Sequence, residues 1–212
     1  MLVLASACAE DPASNESAVE ENIPSLDPSL PVSAIPTPRS GSDVLGTSFD
    51  LEAIERWVGT PPPTGSAAPG ATLVRFWTDT CPFCEASLPA LQSIANEYRD
   101  QGLVTVGLYH PKPPRDVSDE EVSAAAAERG FSEYLGVDRD WEVLSSVWLD
   151  SGRRDATSAS FLLDAEGKIR FVHPGPLFHP ASEDHGMPTL AEDAARDYED
   201  LRRAVAALFE GR

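Results

Sequence analysis

Basic residues are scarce in this chain of 212 residues: 16 Lys and Arg stand against 35 Asp and Glu, a formal net charge of -19 at pH 7. Such acidity argues against nucleic acid as a partner and disfavours anionic lipid surfaces, because both are polyanions. Cysteine is scarce as well. Cys8, Cys81 and Cys84 are the only three, far below the density of a disulfide scaffold. No stretch approaches the roughly 18 apolar residues of a membrane span, and no internal repeat is visible. What the chain does have is an apolar fraction of 42%, enough for the core of one ordinary domain plus a tail.

The tail is at the N-terminus. Residues 1–7 are apolar and then small (Ala5, Ser6, Ala7), and they stop at Cys8. This reads as the end of a secretory signal whose cleavage leaves cysteine first, as in bacterial lipoproteins, although no basic n-region precedes it. Cys8 is then the candidate lipidation site, and the expectation is a chain tethered by a lipid or soluble. Residues 9–46 are rich in Pro, Ser, Ala and Glu and nearly free of aromatics, so they cannot bury enough apolar surface to offset ordering entropy. They read as a disordered spacer, and residues 47–212 as the folded domain.

Inside that domain, Phe49–Val58 is a short amphipathic piece. The β-branched and aromatic run Ala71–Thr78 predicts a buried strand. Cys81 to about Arg99 predicts a helix with Leu88, Leu91, Ile94, Ala95 and Tyr98 at helical spacing, closed by Gly102. Leu103–Tyr109 predicts a second buried strand, completing a βαβ unit. Ser118 and Glu121 form a capping box for a second helix, which Gly130 stops. A short strand is expected near Tyr134–Val137 and a helix over Asp140–Leu149. Ser160–Asp164 and Lys168–His173 flank a turn and read as a hairpin, and a last helix is expected from Thr189, with Glu192 completing a second box.

The chemistry sits at Cys81-Pro82-Phe83-Cys84. A cysteine that follows a strand and opens a helix meets unpaired N–H groups and the positive end of the helix dipole, which favour its thiolate. A thiolate attacks a disulfide, and a second thiol one helical turn on resolves the mixed disulfide. Pro82 suits the first helical position, where its missing N–H costs nothing. A zinc ribbon would need a second cysteine pair, and the sequence has none.

The stretch Phe76-Trp77-Thr78-Asp79-Thr80-Cys81-Pro82-Phe83-Cys84-Glu85-Ala86-Ser87-Leu88-Pro89-Ala90-Leu91, with the hairpin Ser160-Phe161-Leu162-Leu163-Asp164-Ala165-Glu166-Gly167-Lys168-Ile169, resembles the TlpA/ResA-type thioredoxin-like (redoxin) proteins, which are extracytoplasmic thiol–disulfide oxidoreductases. The resemblance runs from about Phe49 to the C-terminus. It implies a thioredoxin-like three-layer α/β/α fold with a central mixed β-sheet and a helix-containing insert. It implies Cys81 as nucleophile and Cys84 as resolving thiol, supported by Trp77, Pro82, Phe83, Pro89, Thr157 and Ser158, with no cofactor and no metal. The implied partners are exported protein substrates and a membrane or soluble redox partner that recycles the dithiol. The chain would act as a monomer on the periplasmic side of a bacterial membrane.

Three positions depart from that family. Ser158 stands where it usually has a cis-proline, Ser87 where it often has a glutamate, and Thr80 where it has a tryptophan. Asp79 and Glu85 are nearby acids without positional match. Arg153 and Arg154 suggest a second reading, a peroxiredoxin-like thiol peroxidase in which an arginine steadies the thiolate. The histidines His110, His173, His179 and His185 support a third, a copper or zinc delivery module using Cys81, Cys84 and a loop histidine.

Overall fold

Among the described residues six strands form one mixed sheet: β1 (Arg56–Val58), β2 (Ala71–Trp77), β3 (Leu103–Tyr109), β4 (Tyr134–Val137), β5 (Ser160–Leu163) and β6 (Ile169–His173). Their order is β1-β4-β3-β2-β5-β6. Strands β2, β3 and β4 run parallel, while β1, β5 and β6 are antiparallel to their neighbours. The computed structural model describes residues 35–63, 70–151, 154, 156–183 and 185–210. Cys8, the leader-like segment, the first part of the expected spacer and Arg153 lie outside the described residues.

The two central strands are buried at every position, as expected of parallel strands covered on both faces. Alternation then sorts their side chains. Leu73 and Trp77 face the layer formed by α1 (Pro82–Tyr98) and α4 (Ala191–Glu210), meeting Leu88, Leu91, Ile94, Leu201 and Val205. Val74 and Phe76 face the opposite layer, where Leu144 of α3 (Glu142–Val147) packs with Phe49, Trp148 and Phe161. Between β3 and β5 the chain inserts α2 (Asp119–Glu128), β4 and α3. This is the thioredoxin-like three-layer α/β/α fold with its mixed sheet and helix-containing insert.

The capping box on α2 is present in both directions, with Ser118 Oγ accepting from Glu121 N–H at 3.2 Å and Glu121 accepting from Ser118 N–H at 2.9 Å. Other elements differ from the sequence expectation. The amphipathic piece after Phe49 contributes the edge strand β1, antiparallel to β4. Helix α3 begins at Glu142 because Trp141 takes a left-handed backbone (φ 62), its indole N–H donating to the Pro111 carbonyl at 2.9 Å. Asp138 then accepts from the N–H groups of Val143 and Leu144. Helix α4 begins at Ala191, two residues after Thr189, since Met187 to Leu190 closes a turn whose side chains join Phe83 and Leu177.

The spacer ends earlier than composition indicated. Arg39 pairs with Asp197, which is buried on α4, and Gly41 lies against the Trp148 ring. Residues 35–46 therefore belong to the folded unit. Isolated contacts of this kind leave no periodicity in sequence.

Gly107 in β3 sets the spacing to the buried rings of Phe131 and Trp77. A Cβ there would lie 2.9 Å from both the Phe131 ring and Trp77 Nε1. Both side chains are buried and cannot withdraw. Gly107→Ala is expected to destabilise the protein by about 1–3 kcal/mol through overpacking, readable as a lower urea midpoint. An unchanged midpoint would show that the layer has slack.

Candidate functional site

Strand β2 ends at Trp77, the chain turns through Thr78–Thr80, and Cys81 becomes the N-cap of α1 with Pro82 in its first turn. Cys81 is partly exposed at the mouth of the site. Cys84, one turn further, is fully buried. Cys81 is pulled down to about 5, first by the hydrogen bond from the Cys84 thiol, then by the Ser158 hydroxyl and the N–H groups of Cys84 and Phe83, with burial opposing. Cys84 is pushed well above the ordinary thiol value by that same hydrogen bond to Cys81 and by burial. One sulfur is thus an anion at neutral pH and the other a thiol that donates to it.

Ser158 completes the pair. Its Oγ lies 3.7 Å from Cys81 Sγ and 3.5 Å from Cys84 Sγ. The cis peptides among the described residues precede Pro113 and Pro176, not Ser158. Two contacts hold the Thr157-Ser158 loop in place. His110 Nε2–H donates to the Thr157 carbonyl at 2.8 Å. Gly175, at φ 85, approaches so closely that a Cβ would lie 2.9 Å from the Ser158 carbonyl oxygen. The left-handed backbone and the close approach both call for glycine.

An open groove of about 430 Å³ runs past Cys81, bounded by Thr78, Thr80, Pro82, Phe83, Lys112, Thr157, Ser158 and Pro176. Phe83 is half-buried with Leu177, Met187 and Leu190. Trp77 is core, edge-on to Tyr109 at 4.9 Å between ring centres, and supports the site from beneath. Pro89 lies inside α1, which continues to Tyr98. Ser87, at the family's glutamate position, is buried, and its Oγ accepts from Phe178 N–H at 3.2 Å, fastening the loop after β6 to α1.

The two acids near the pair have other partners. Asp79 accepts from the Tyr109 hydroxyl at 2.9 Å and faces Arg115, and Glu85 faces Arg129 at 3.9 Å. Arg154 stacks on Trp148 and pairs with Asp43. The arginine whose charge acts on the thiols is Arg75, in β2, bound to the carbonyl of Ser158. The same alternation that points Leu73 and Trp77 towards α1 points Arg75 there as well, fully buried. Its pKa is lowered by burial and raised by the attraction of Cys84 and Cys81. The sequence held a signal for it: a lone arginine at an inward position of an apolar strand just ahead of a C-x-x-C pair.

The histidines are engaged away from the sulfurs. His173 Nε2 contacts Asp197 at 3.1 Å, His179 Nδ1–H donates to the Pro180 carbonyl at 2.8 Å, and His185 contacts Glu183 at 2.9 Å. Among the described residues no group of three or more Cys, His, Asp or Glu is arranged to hold a metal ion. The delivery-module reading therefore finds no histidine ligand beside the thiols.

A model of the Redoxin family matches residues 63–185. The chain is 28% identical over 134 residues to Protein DipZ of Mycobacterium bovis, covering 61% of this chain and 19% of that protein. It is 25% identical over 104 residues to the thiol-disulfide oxidoreductase YkuV of Bacillus subtilis, covering 49% of this chain and 66% of that one. It thus spans about a fifth of the first relative and two thirds of the second. Among solved structures, a hypothetical protein from Sinorhizobium meliloti 1021 superposes with a TM-score of 0.52 at 22% identity, over 82% of this chain and 88% of that one.

Proposed function

The chain belongs to the Redoxin family, and from that premise we propose that it is a thiol–disulfide oxidoreductase working through Cys81 and Cys84. The observation that carries this reading is the asymmetry of the pair: a partly exposed Cys81 held as thiolate at a helix N-terminus, and a buried Cys84 held as thiol. The Cys81 thiolate attacks one sulfur of a substrate disulfide, forming a mixed disulfide and expelling the other sulfur as a thiolate. Cys84 loses its proton and attacks Cys81 Sγ, closing the Cys81–Cys84 bond and releasing the second substrate sulfur. The reverse sequence places a disulfide in a dithiol substrate. Ser158 Oγ, within reach of both sulfurs, can follow the negative charge as it moves between them. Neither step requires a cofactor.

Exported proteins are the substrate class this reading favours, with a membrane or soluble redox partner recycling the dithiol. The leader-like N-terminus ending at Cys8 supports an extracytoplasmic location with a lipid anchor. No described helix is long and apolar enough to cross a membrane. The chain acts as a monomer in this reading, and sedimentation velocity checks its mass.

The test is a redox titration of the full chain in dithiothreitol buffers, with closure of the pair read by alkylation and mass spectrometry. A Cys81–Cys84 disulfide that forms reversibly and exchanges with a disulfide peptide supports the reading. A pair that stays open under oxidising buffer ends it.

A further inference from the structure

The polar partners of Arg75 are all neutral. Its guanidinium donates to the Ser158 carbonyl at 3.1 Å, to Ser160 Oγ at 3.0 Å and to the Pro176 carbonyl at 2.8 Å, and it lies 4.7 Å from the centre of the Phe178 ring. Its Nε–H is buried without a partner, and among the described residues no carboxylate forms an ion pair with it. Arginine stays protonated in proteins, and a buried charge without a counter-ion is strongly unfavourable.

The charged and titratable groups around it leave few candidates for that counter-ion. From β6 comes His173, which burial holds neutral. From α4 comes Asp197, whose carboxylate already meets His173 and Arg39. His110, beyond β3, is bound to the Thr157 carbonyl and is also pulled towards neutrality by burial. Asp79 faces Tyr109 and Arg115, and Glu85 faces Arg129. Tyr198 of α4 stacks on Phe178 and is pushed up to about 12, so its hydroxyl stays protonated. What remains are Cys81 and Cys84 on α1, tied to Arg75 through Ser158: its carbonyl takes the guanidinium and its hydroxyl lies beside both sulfurs.

We infer that Arg75 is the buried counter-ion of the reduced site, balanced by the thiolate when the pair is open and unbalanced when it closes, so that the protein acts as an oxidant of dithiol substrates. The inference rests on the thiol–disulfide reading above and sets its direction. A stabilised reduced form is what makes a disulfide oxidising. In the productive step a substrate dithiol gives two electrons to the Cys81–Cys84 bond and becomes a disulfide. Of the two protons it loses, one goes to Cys84 and one to solvent, and Cys81 remains a thiolate opposite Arg75. Turnover then requires a more oxidising disulfide as electron acceptor.

The experiment equilibrates the full chain in reduced and oxidised glutathione between about pH 6 and pH 8. The Cys81–Cys84 disulfide is quantified by acid quench, alkylation and peptide mass spectrometry, which keeps Cys8 separate. Reduction by glutathione releases one proton per pair if Cys81 stays ionised, so its equilibrium constant is expected to rise about tenfold per pH unit, about 30 mV. Arg75→Met is expected to shift the constant at least about tenfold towards the disulfide and to move the onset of pH dependence upwards, whereas Arg75→Lys, which keeps the charge, stays near the parent. Arg75→Gln, which can still donate to the Ser158 carbonyl, is the second neutral variant should Arg75→Met fold poorly. In the parent the reduced form is expected to melt above the oxidised form.

The inference is overturned by a parent constant that does not change with pH, by neutral variants that equilibrate at the parent's ratio, by a lysine variant that behaves as they do, or by an oxidised parent that melts above the reduced one. In each of those cases a pair that still cycles leaves thiol–disulfide exchange intact. A pair that never closes removes the reading beneath both.

Discussion

Replacing Cys81 with serine is expected to abolish exchange, and in the parent the alkylation rate of Cys81 is expected to be nearly flat above about pH 6 with a midpoint near 5, following the thiolate held at about 5. An ordinary thiol at 9.0 is ionised to roughly one part in a thousand at pH 6. Lowering the pKa to about 5 therefore raises the thiolate fraction by roughly 900-fold, while nucleophilicity falls by roughly 40- to 100-fold for a Brønsted coefficient of about 0.4–0.5. The thiolate population outweighs the lost nucleophilicity, and Cys81 is expected to react about tenfold faster than a free thiol at that pH. Cys84, buried and protonated, is expected to be protected in the folded protein. Iodoacetamide pulses at a series of pH values, read by peptide mass spectrometry, measure both rates. A Cys81 rate that climbs tenfold per unit through pH 8 would falsify the thiolate assignment, and a serine variant that still exchanges would move the nucleophile elsewhere.

Acid is expected to unfold this protein earlier than its carboxylates alone would require. His110 and His173 are both buried, and burial lowers the pKa of each below the ordinary 6.5. In the unfolded chain both take up a proton below about 6.5, while in the folded protein that uptake is pushed to lower pH. The unfolded state then binds more protons, so stability is full above that pH and is lost as pH falls through it. Each histidine contributes a slope of up to about 1.4 kcal/mol per pH unit, and the two together up to about 2.7 kcal/mol per unit. Urea unfolding between pH 7 and pH 5 measures the slope. His110→Gln, which keeps a donor for the Thr157 carbonyl, is expected to remove one proton's share of it. A free energy that stays level across that range would mean that both rings take up their protons in the fold as they do in the unfolded chain.

Those two histidines also show how far apart neighbours in the fold can be in sequence. His110 directly follows β3 and secures the loop that presents Ser158 to the sulfurs. His173 ends β6, and its ring stands edge-on to Phe178, on which Arg75 rests. Both belong to the scaffolding of the dithiol. Imidazoles near a dithiol invited a metal reading, but the prolines around these two belong to loops that turn tightly at the ends of buried strands.

The amino-acid sequence by itself determined most of the elements and the placement of the cysteine pair at a helix start. Strands of β-branched and aromatic residues, a helix with apolar residues at i, i+3, i+4 and i+7, and capping residues all act over a few positions, so their physics can be read locally. Strand β3 and β4, the α2 capping box and the placement of Cys81 at a helix start needed no tertiary information. Tertiary structure alone decided what surrounds the sulfurs. Arg75 lies six residues before Cys81, yet its role depends on strand alternation, on the packing of α1 over β2, and on carbonyls of Ser158 and Pro176 far along the chain. The partners of Ser87, Arg154, His173 and Arg39 were likewise set by the way distant segments meet. A buried charge takes its meaning from every group that replaces its water, and those groups come together only when the chain has folded.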